Sequence, residues 1–249
     1  MDAREELQSI IGDLRGYLAQ EKNRGLTQVA RSKAPVITPV TTPKVVTNAG
    51  KPEALAKLYQ EYAACLNCPL GRTRKKFVFG EGDPNARLMF IGEGPGFDED
   101  HTGRPFIGKA GQLLTKAIET TIGIKRAEAY IGNITKCHPM KDPGKPDMRG
   151  NDRPPAAEEM VSCLPIITRQ IEIIQPDIIC LLGRTAAQAI LKSSDGIHQL
   201  RNKFYTMKYG SKDIQVIATI HPANCLYDPS NKKYLWVDFK KIKNFLAAD

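Results

Sequence analysis

RLMFIGEGPG, residues 87–96, joins a short run of apolar, strand-forming residues to a turn made of glycine and proline. A run of that length ending in such a turn reads as a buried strand that delivers its carboxyl end into a loop. Ala129 to Ile134 (AYIGNI), Asp177 to Leu182 (DIICLL) and Ile214 to Thr219 (IQVIAT) have the same character. Between them Gly108 to Thr121, Ala156 to Ile174 and Arg184 to Lys192 repeat apolar residues at helical spacing. Strand and helix alternate, so the expected fold class is α/β: a three-layer α/β/α sandwich around a four-stranded, mainly parallel sheet covered on both faces. Lys203 to Tyr209 (KFYTMKY), a turn over Gly210 to Asp213 and the run from Ile214 read as a hairpin, which makes the last strand its second arm.

Upstream, Leu7, Ile10, Ile11, Leu14 and Leu18 form one apolar stripe, so residues 1–30 are expected to hold an amphipathic helix that docks on the body or on a partner. Residues 31–52 carry four prolines and few large apolar side chains and read as a linker, leaving 53–249 as the domain proper. With 41% apolar and 25% charged residues, collagen, coiled-rod and wholly disordered classes are excluded. No apolar run approaches the ~20 residues of a membrane span, and the opening MDAREELQSI is charged where a signal segment is apolar. A cytoplasmic protein without a membrane partner is therefore expected. Lys and Arg outnumber Asp and Glu by 36 to 27, giving a net charge of +9 that favours a polyanionic partner.

In open parallel sheets ligands bind beyond the carboxyl ends of the strands, and every candidate catalytic residue falls there. The first strand runs into Glu93-Gly94-Pro95-Gly96, the second ends at Asn133, the third at Gly183-Arg184 and the fourth at His221-Pro222. A carboxylate, an amide able to read a base edge and an imidazole thus share one rim, although a strand-end Asn commonly closes a turn. The glycine loop is no dinucleotide fingerprint, because Phe97 stands where its third glycine belongs. Phe106, between Pro105 and Gly108, is placed to stack on a planar ring or to enter the core. Cys65 and Cys68 are spaced to face one metal, and Cys137 and Cys163 follow them. Four thiolates hold zinc or an iron-sulfur cluster, and their identity alone does not separate the two. Cys180 and Cys225 read as packing residues, His101 and His198 as surface groups, and His138 as an outside candidate ligand.

Taken in order, Cys65-x-x-Cys68, GEGPG (92–96), ED-x-TGRPFIGKAGQLL (99–114), NITKC (133–137), the later Cys-Leu-Pro at 163–165 and HPANCL (221–226) resemble the family 4 uracil-DNA glycosylases, over roughly residues 58–245. The resemblance implies a [4Fe-4S] cluster on Cys65, Cys68, Cys137 and Cys163. It implies a monofunctional DNA-repair enzyme that flips uracil out of single- or double-stranded DNA and hydrolyses its N-glycosidic bond, leaving an abasic site. By similarity Phe106 stacks on the base, Asn133 pairs with its O4 and N3 edge, His221 stabilises the departing anion at O2, and Leu226 fills the vacated stack. Glu93 is the candidate to position water, and Glu99 to approach the uracil C5 edge. Gly94 lines the uracil site at the position where the best-known branch of the superfamily has an aspartate.

Arg184 is assigned to DNA, as are Asn151 and Arg153, the plausible counterparts of an Asn-Arg segment that family members carry between the last two cysteines. Here 25 residues separate those cysteines, and the five prolines and seven charges of 138–155 read as an exposed loop near the DNA. A related branch traps the sugar covalently through an Arg-Arg-Ile-His run, which this chain lacks, so turnover is expected. A covalent trap and a non-catalytic iron-sulfur accessory of nucleic acid are the alternatives. A monomer is expected, with the first helix available to a replication or repair protein.

Overall fold

The computed structural model describes residues 50–248. The helix expected over 1–30 and nearly all of the linker expected over 31–52 lie outside the described residues. The linker's last two positions already belong to a helix: α1 (Lys51–Tyr62) starts with proline in its first turn, where a missing N–H costs nothing.

After α1 come the short α2 (Leu70–Thr73), β1 (Glu81–Gly82), β2 (Leu88–Gly92), α3 (Phe97–Thr102) and α4 (Lys109–Ala117), which runs on into a wide turn at Ile118–Ile122. Then follow β3 (Tyr130–Asn133), α5 (Ala157–Ile174), β4 (Ile178–Leu182), α6 (Arg184–Leu191) and α7 (Ile197–Leu200). The chain closes with β5 (Phe204–Tyr209), β6 (Lys212–Thr219), α8 (Asn224–Tyr227) and α9 (Lys232–Ala247).

The expected four parallel strands are β3, β2, β4 and β6, paired side by side in that order. The sheet is nevertheless six-stranded, in the order β1-β3-β2-β4-β6-β5, because an antiparallel strand closes each edge. β5 is the expected hairpin arm, and β1, two residues long, is an addition. Strand periodicity sorts the core onto two faces. Met89, Ile91, Ile179, Leu181, Ile214, Val216 and Ala218 pack with α1, α5 and α6 residues on one face. Leu88, Phe90, Ile178, Cys180, Leu182 and Ile217 pack with α4 and α9 residues on the other. This double burial is the three-layer sandwich, and it leaves the ends of the strands as the place for chemistry.

Beneath the last strand end, Asp238 of α9 is fully buried and accepts from Thr219 Oγ1 at 2.7 Å and from Arg201 at 3.0 and 3.1 Å. A buried carboxylate is tolerated only when paired and hydrogen-bonded in this way. The result ties the end of β6 to α9, two residues before His221.

Candidate active site at the carboxyl edge of the sheet

His221 leaves β6 as a partly exposed ring whose Nδ1 accepts the Ala223 N–H at 3.1 Å. That bond puts the ring proton on Nε2, so the imidazole offers a donor to the rim. Desolvation by the surrounding walls lowers its pKa to about 4, which keeps it neutral near pH 7 although one edge stays open to a ligand. The ring lies 5.7 Å from that of Phe106, tilted by 36°.

Asn133, at the end of β3, is buried to 1% exposure, and its Oδ1 has no hydrogen-bond partner among the described residues. An orphaned buried acceptor costs about 1–3 kcal/mol, so a donor from a ligand is what it lacks. The closeness of this slot is visible at Gly92: a Cβ there would stand 2.4 Å from Phe106 Cζ and 2.5 Å from Asn133 Oδ1. Any other residue at 92 would push ring and amide apart.

Phe106 itself is strained, with φ 51 in the left-handed region. A non-glycine residue held there costs about 1–3 kcal/mol and persists only if its surroundings over-determine it. They do so from both sides. Arg126, itself held by Glu81, donates to the Pro105 carbonyl at 2.7 Å. Glu99 Oε1 accepts the N–H groups of Ile107 and Gly108, both at 3.0 Å, while its Oε2 accepts the Gly96 N–H at 3.1 Å. Both Glu99 carboxylate oxygens thus serve the backbone, and the residue shapes the loop that carries the aromatic wall. The surrounding FDEDHT segment is the helix α3, closed by Gly103 in the left-handed region.

Glu93 is fixed at both ends. Its carbonyl accepts the N–H of Thr135 at 3.0 Å and the hydroxyl of Thr135 at 3.2 Å, and its Oε2 accepts the hydroxyl of Thr185. Thr185, in the first turn of α6, went unnoticed in the sequence because a threonine there is ordinary. A Cβ on Gly94 would stand 2.4 Å from Thr135 Oγ1. Any side chain at 94 would thus displace the Thr135 hydroxyl, which holds the backbone of Glu93.

Arg184 opens α6 as an exposed cation, and Leu226 of α8 is 44% exposed beside Tyr227, which is 89% exposed. Arg184 and Leu226, two of the expected DNA contacts, are thus both exposed. Asn151 and Arg153 are engaged within the chain. Asn151 is fully buried, its Oδ1 accepting from the Asp142 N–H and its Nδ2 donating to the carbonyls of Asp142 and Lys145. Arg153 grips Glu159 through two bonds of 2.7 and 2.8 Å and donates further to the carbonyls of Met140 and Pro154. Both residues hold the 138–155 loop through these bonds, Asn151 fully buried and Arg153 partly exposed. Arg153 holds the Glu159 carboxyl below its usual range against the penalty of burial.

Of the four expected cysteine ligands, Cys137 and Cys163 are buried and Cys65 and Cys68 partly buried, and one Arg74 nitrogen donates both to the Cys65 carbonyl at 2.8 Å and to Cys137 Sγ. Cys137 Sγ accepts from Arg74 at 3.2 Å, and Cys163 Sγ accepts the Lys136 N–H at 3.3 Å. Burial pushes the two thiols up to about 12 and about 11. Among the described residues no three His, Cys, Asp or Glu side chains are grouped as for a single metal ion. His138 is committed elsewhere, with Nε2 2.7 Å from Asp152 and Nδ1 3.8 Å from the buried Asp100. Cys180 and Cys225 are fully buried among apolar side chains, as expected of packing residues. No helix among the described residues is long and apolar enough to cross a membrane.

Residues 79–243 match the model of the Uracil DNA glycosylase superfamily. The chain is 41% identical over 195 residues to a Type-4 uracil-DNA glycosylase of Sulfurisphaera tokodaii, covering 77% of this chain and 84% of the relative. It is 41% identical over 192 residues to one of Saccharolobus solfataricus, covering 76% and 84%. For one of Archaeoglobus fulgidus the identity is 39% over 194 residues, covering 76% and 92%.

Proposed function

This chain belongs to the uracil DNA glycosylase superfamily and is a DNA-repair glycosidase, and from that premise we propose how its own residues remove uracil from DNA. The observation that carries the reading is the buried, unpartnered Oδ1 of Asn133, in a slot walled by Phe106 and beside the Nε2 donor of His221.

A base inside a duplex hides its sugar carbon from water, so the nucleotide must first be turned out of the stack. Leu226 is the exposed apolar side chain suited to occupy the gap, and Arg184 the cation suited to a flanking phosphate. In the slot, Asn133 Oδ1 accepts the uracil N3–H and its amide donates to O4. Cytosine presents an acceptor and a donor at those two positions, so it would leave buried groups unpaired. Phe106 covers the ring face.

The reaction breaks the C1′–N1 bond. The bonding electrons leave with uracil as an anion, water adds its oxygen to C1′, and the proton that this water gives up ends on the released base, which leaves the site as neutral uracil. Neutral His221 donates from Nε2 to the O2 on which that charge gathers, the role of a preorganised oxyanion donor. Glu93 orients the water and faces the positive character on the sugar.

The cysteine set fits the implied [4Fe-4S] cluster. The fit is one of donor chemistry: the α1–α2 connection, the segment after β3 and α5 supply four thiols, two of which accept N–H donors, and Arg74 donates both to the Cys65 carbonyl and to Cys137 Sγ. Thiols pushed toward protonation by burial would need a metal centre to become thiolates. Bound there, the cluster supplies a structural cross-link between the chain preceding β1, the long loop and α5. We assign the enzyme to the prokaryotic cytosol as a monomer acting on single- or double-stranded uracil-DNA. The test is release of free uracil, and of alkali-labile sites without strand nicking, from uracil-bearing oligonucleotides.

A further inference from the structure

Of the two glutamates in the segment that follows β2, Glu93 and Glu99, one is unavailable for water. Glu99 has both oxygens on backbone N–H groups. Glu93 remains. A glutamate has three side-chain rotors, and a group that must meet one water molecule beneath a sugar loses much of its value if it wanders among rotamers. Here the backbone of Glu93 is pinned by Thr135. Its carboxylate is pinned by a hydroxyl 92 residues further on, in the first turn of α6. Threonine at a helix start commonly turns its hydroxyl to the neighbouring backbone, whereas this proton goes across the sheet edge to Oε2. Among the described residues no donor reaches Oε1, so one oxygen is anchored and the other is left for solvent.

We infer that Thr185 is a positioning residue of the reaction: its hydroxyl sets the Glu93 carboxylate so that Oε1 bears on the attacking water. This rests on the reading of Glu93 given above. Because the bond is made before and during hydrolysis but touches neither the base nor the phosphates, it governs the rate of the bound complex and not its formation.

The experiment is single-turnover uracil release by the full, cluster-loaded chain, with the maximal rate and half-saturating DNA concentration measured separately. Thr185→Val removes the donor, Thr185→Ser retains it, and Glu93→Gln removes the charge it holds. A hydrogen bond to a charged group is worth about tenfold to 100-fold, so Thr185→Val loses that much in maximal rate while half-saturation stays within about threefold. Thr185→Ser recovers most of the rate. Adding Thr185→Val to Glu93→Gln costs little more, the mark of two residues acting through one contact. Should Val not fold, Thr185→Ala is read in the same way. A valine or alanine variant at wild-type rate beside an impaired Glu93→Gln overturns the role of Thr185 alone, and so does a fully multiplicative double variant. A fully active Glu93→Gln overturns the reading of Glu93, and this inference with it.

Discussion

Replacing His221 with alanine removes one donor aimed at the place where negative charge develops. The imidazole is neutral because its pKa is lowered to about 4 by desolvation, and its Nε2 carries the proton because Nδ1 is occupied by the Ala223 N–H. A single preorganised donor of this kind is worth ~10²–10³ in rate, roughly 2.7–4 kcal/mol, so His221→Ala should lose that much in single-turnover uracil release. Glutamine, which keeps an N–H donor of similar reach, should lose less. The same geometry sets a pH dependence. Above pH 6.5 the ring is neutral in both folded and unfolded chains and contributes nothing to the pH dependence of stability. As pH falls from 6.5 toward 4 the unfolded chain takes up a proton that the folded one refuses, so stability declines across that window. Below about 4 the folded ring protonates and two N–H groups confront each other at Ala223. Nitrogen NMR of the side chain should accordingly report a neutral, Nε2-protonated ring at pH 6. A ring that titrates near 6.5, or an alanine variant slowed less than a few-fold, refutes the reasoning.

Asn133→Asp should cut uracil release by about tenfold to 100-fold, since it removes the amide donor to O4 and leaves a buried acid against an acceptor; competition between uracil- and cytosine-bearing strands measures it. Glu99→Gln should lower the maximal rate with little change in DNA affinity, because the Phe106 wall loses the charge that holds two loop N–H groups, and recovery of the wild-type rate would remove Glu99 from that role. Arg153→Ala should destabilise the fold by about 3 kcal/mol, leaving Glu159 buried and unpaired, without changing the salt dependence of DNA binding. Arg184→Ala should do the converse: unchanged melting temperature, weaker binding and a salt slope smaller by about one. Affinity titrations at several salt concentrations, beside thermal melts, separate these two arginines.

The four parallel strands were legible because each is a short apolar run with a turn at its end, and that reading also brought Glu93, Asn133, Arg184 and His221 to one rim. β1 was not, since two residues leave no pattern and their pairing is made by a neighbour. α3 was hidden because FDEDHT has no apolar period; Glu99 at its start and the left-handed Gly103 at its end make it a helix. Composition marked residues 138–155 as an exposed loop, yet Asn151 and Arg153 spend their polar groups inside it, and which partners a polar side chain finds is a property of the folded chain. The strain at Phe106 and the bond from Thr185 to Glu93 were equally invisible, for each depends on atoms far apart in sequence.

The most direct measurement offers cluster-replete protein two sets of oligonucleotides, single- and double-stranded, identical except for uracil or cytosine at one position, and follows free base by chromatography. Uracil released in stoichiometric and then catalytic amounts, with cytosine strands left whole, is the predicted result. Uracil strands recovered intact, or locked to the protein in an adduct that survives denaturant, would contradict a slot built to let the base depart as an anion.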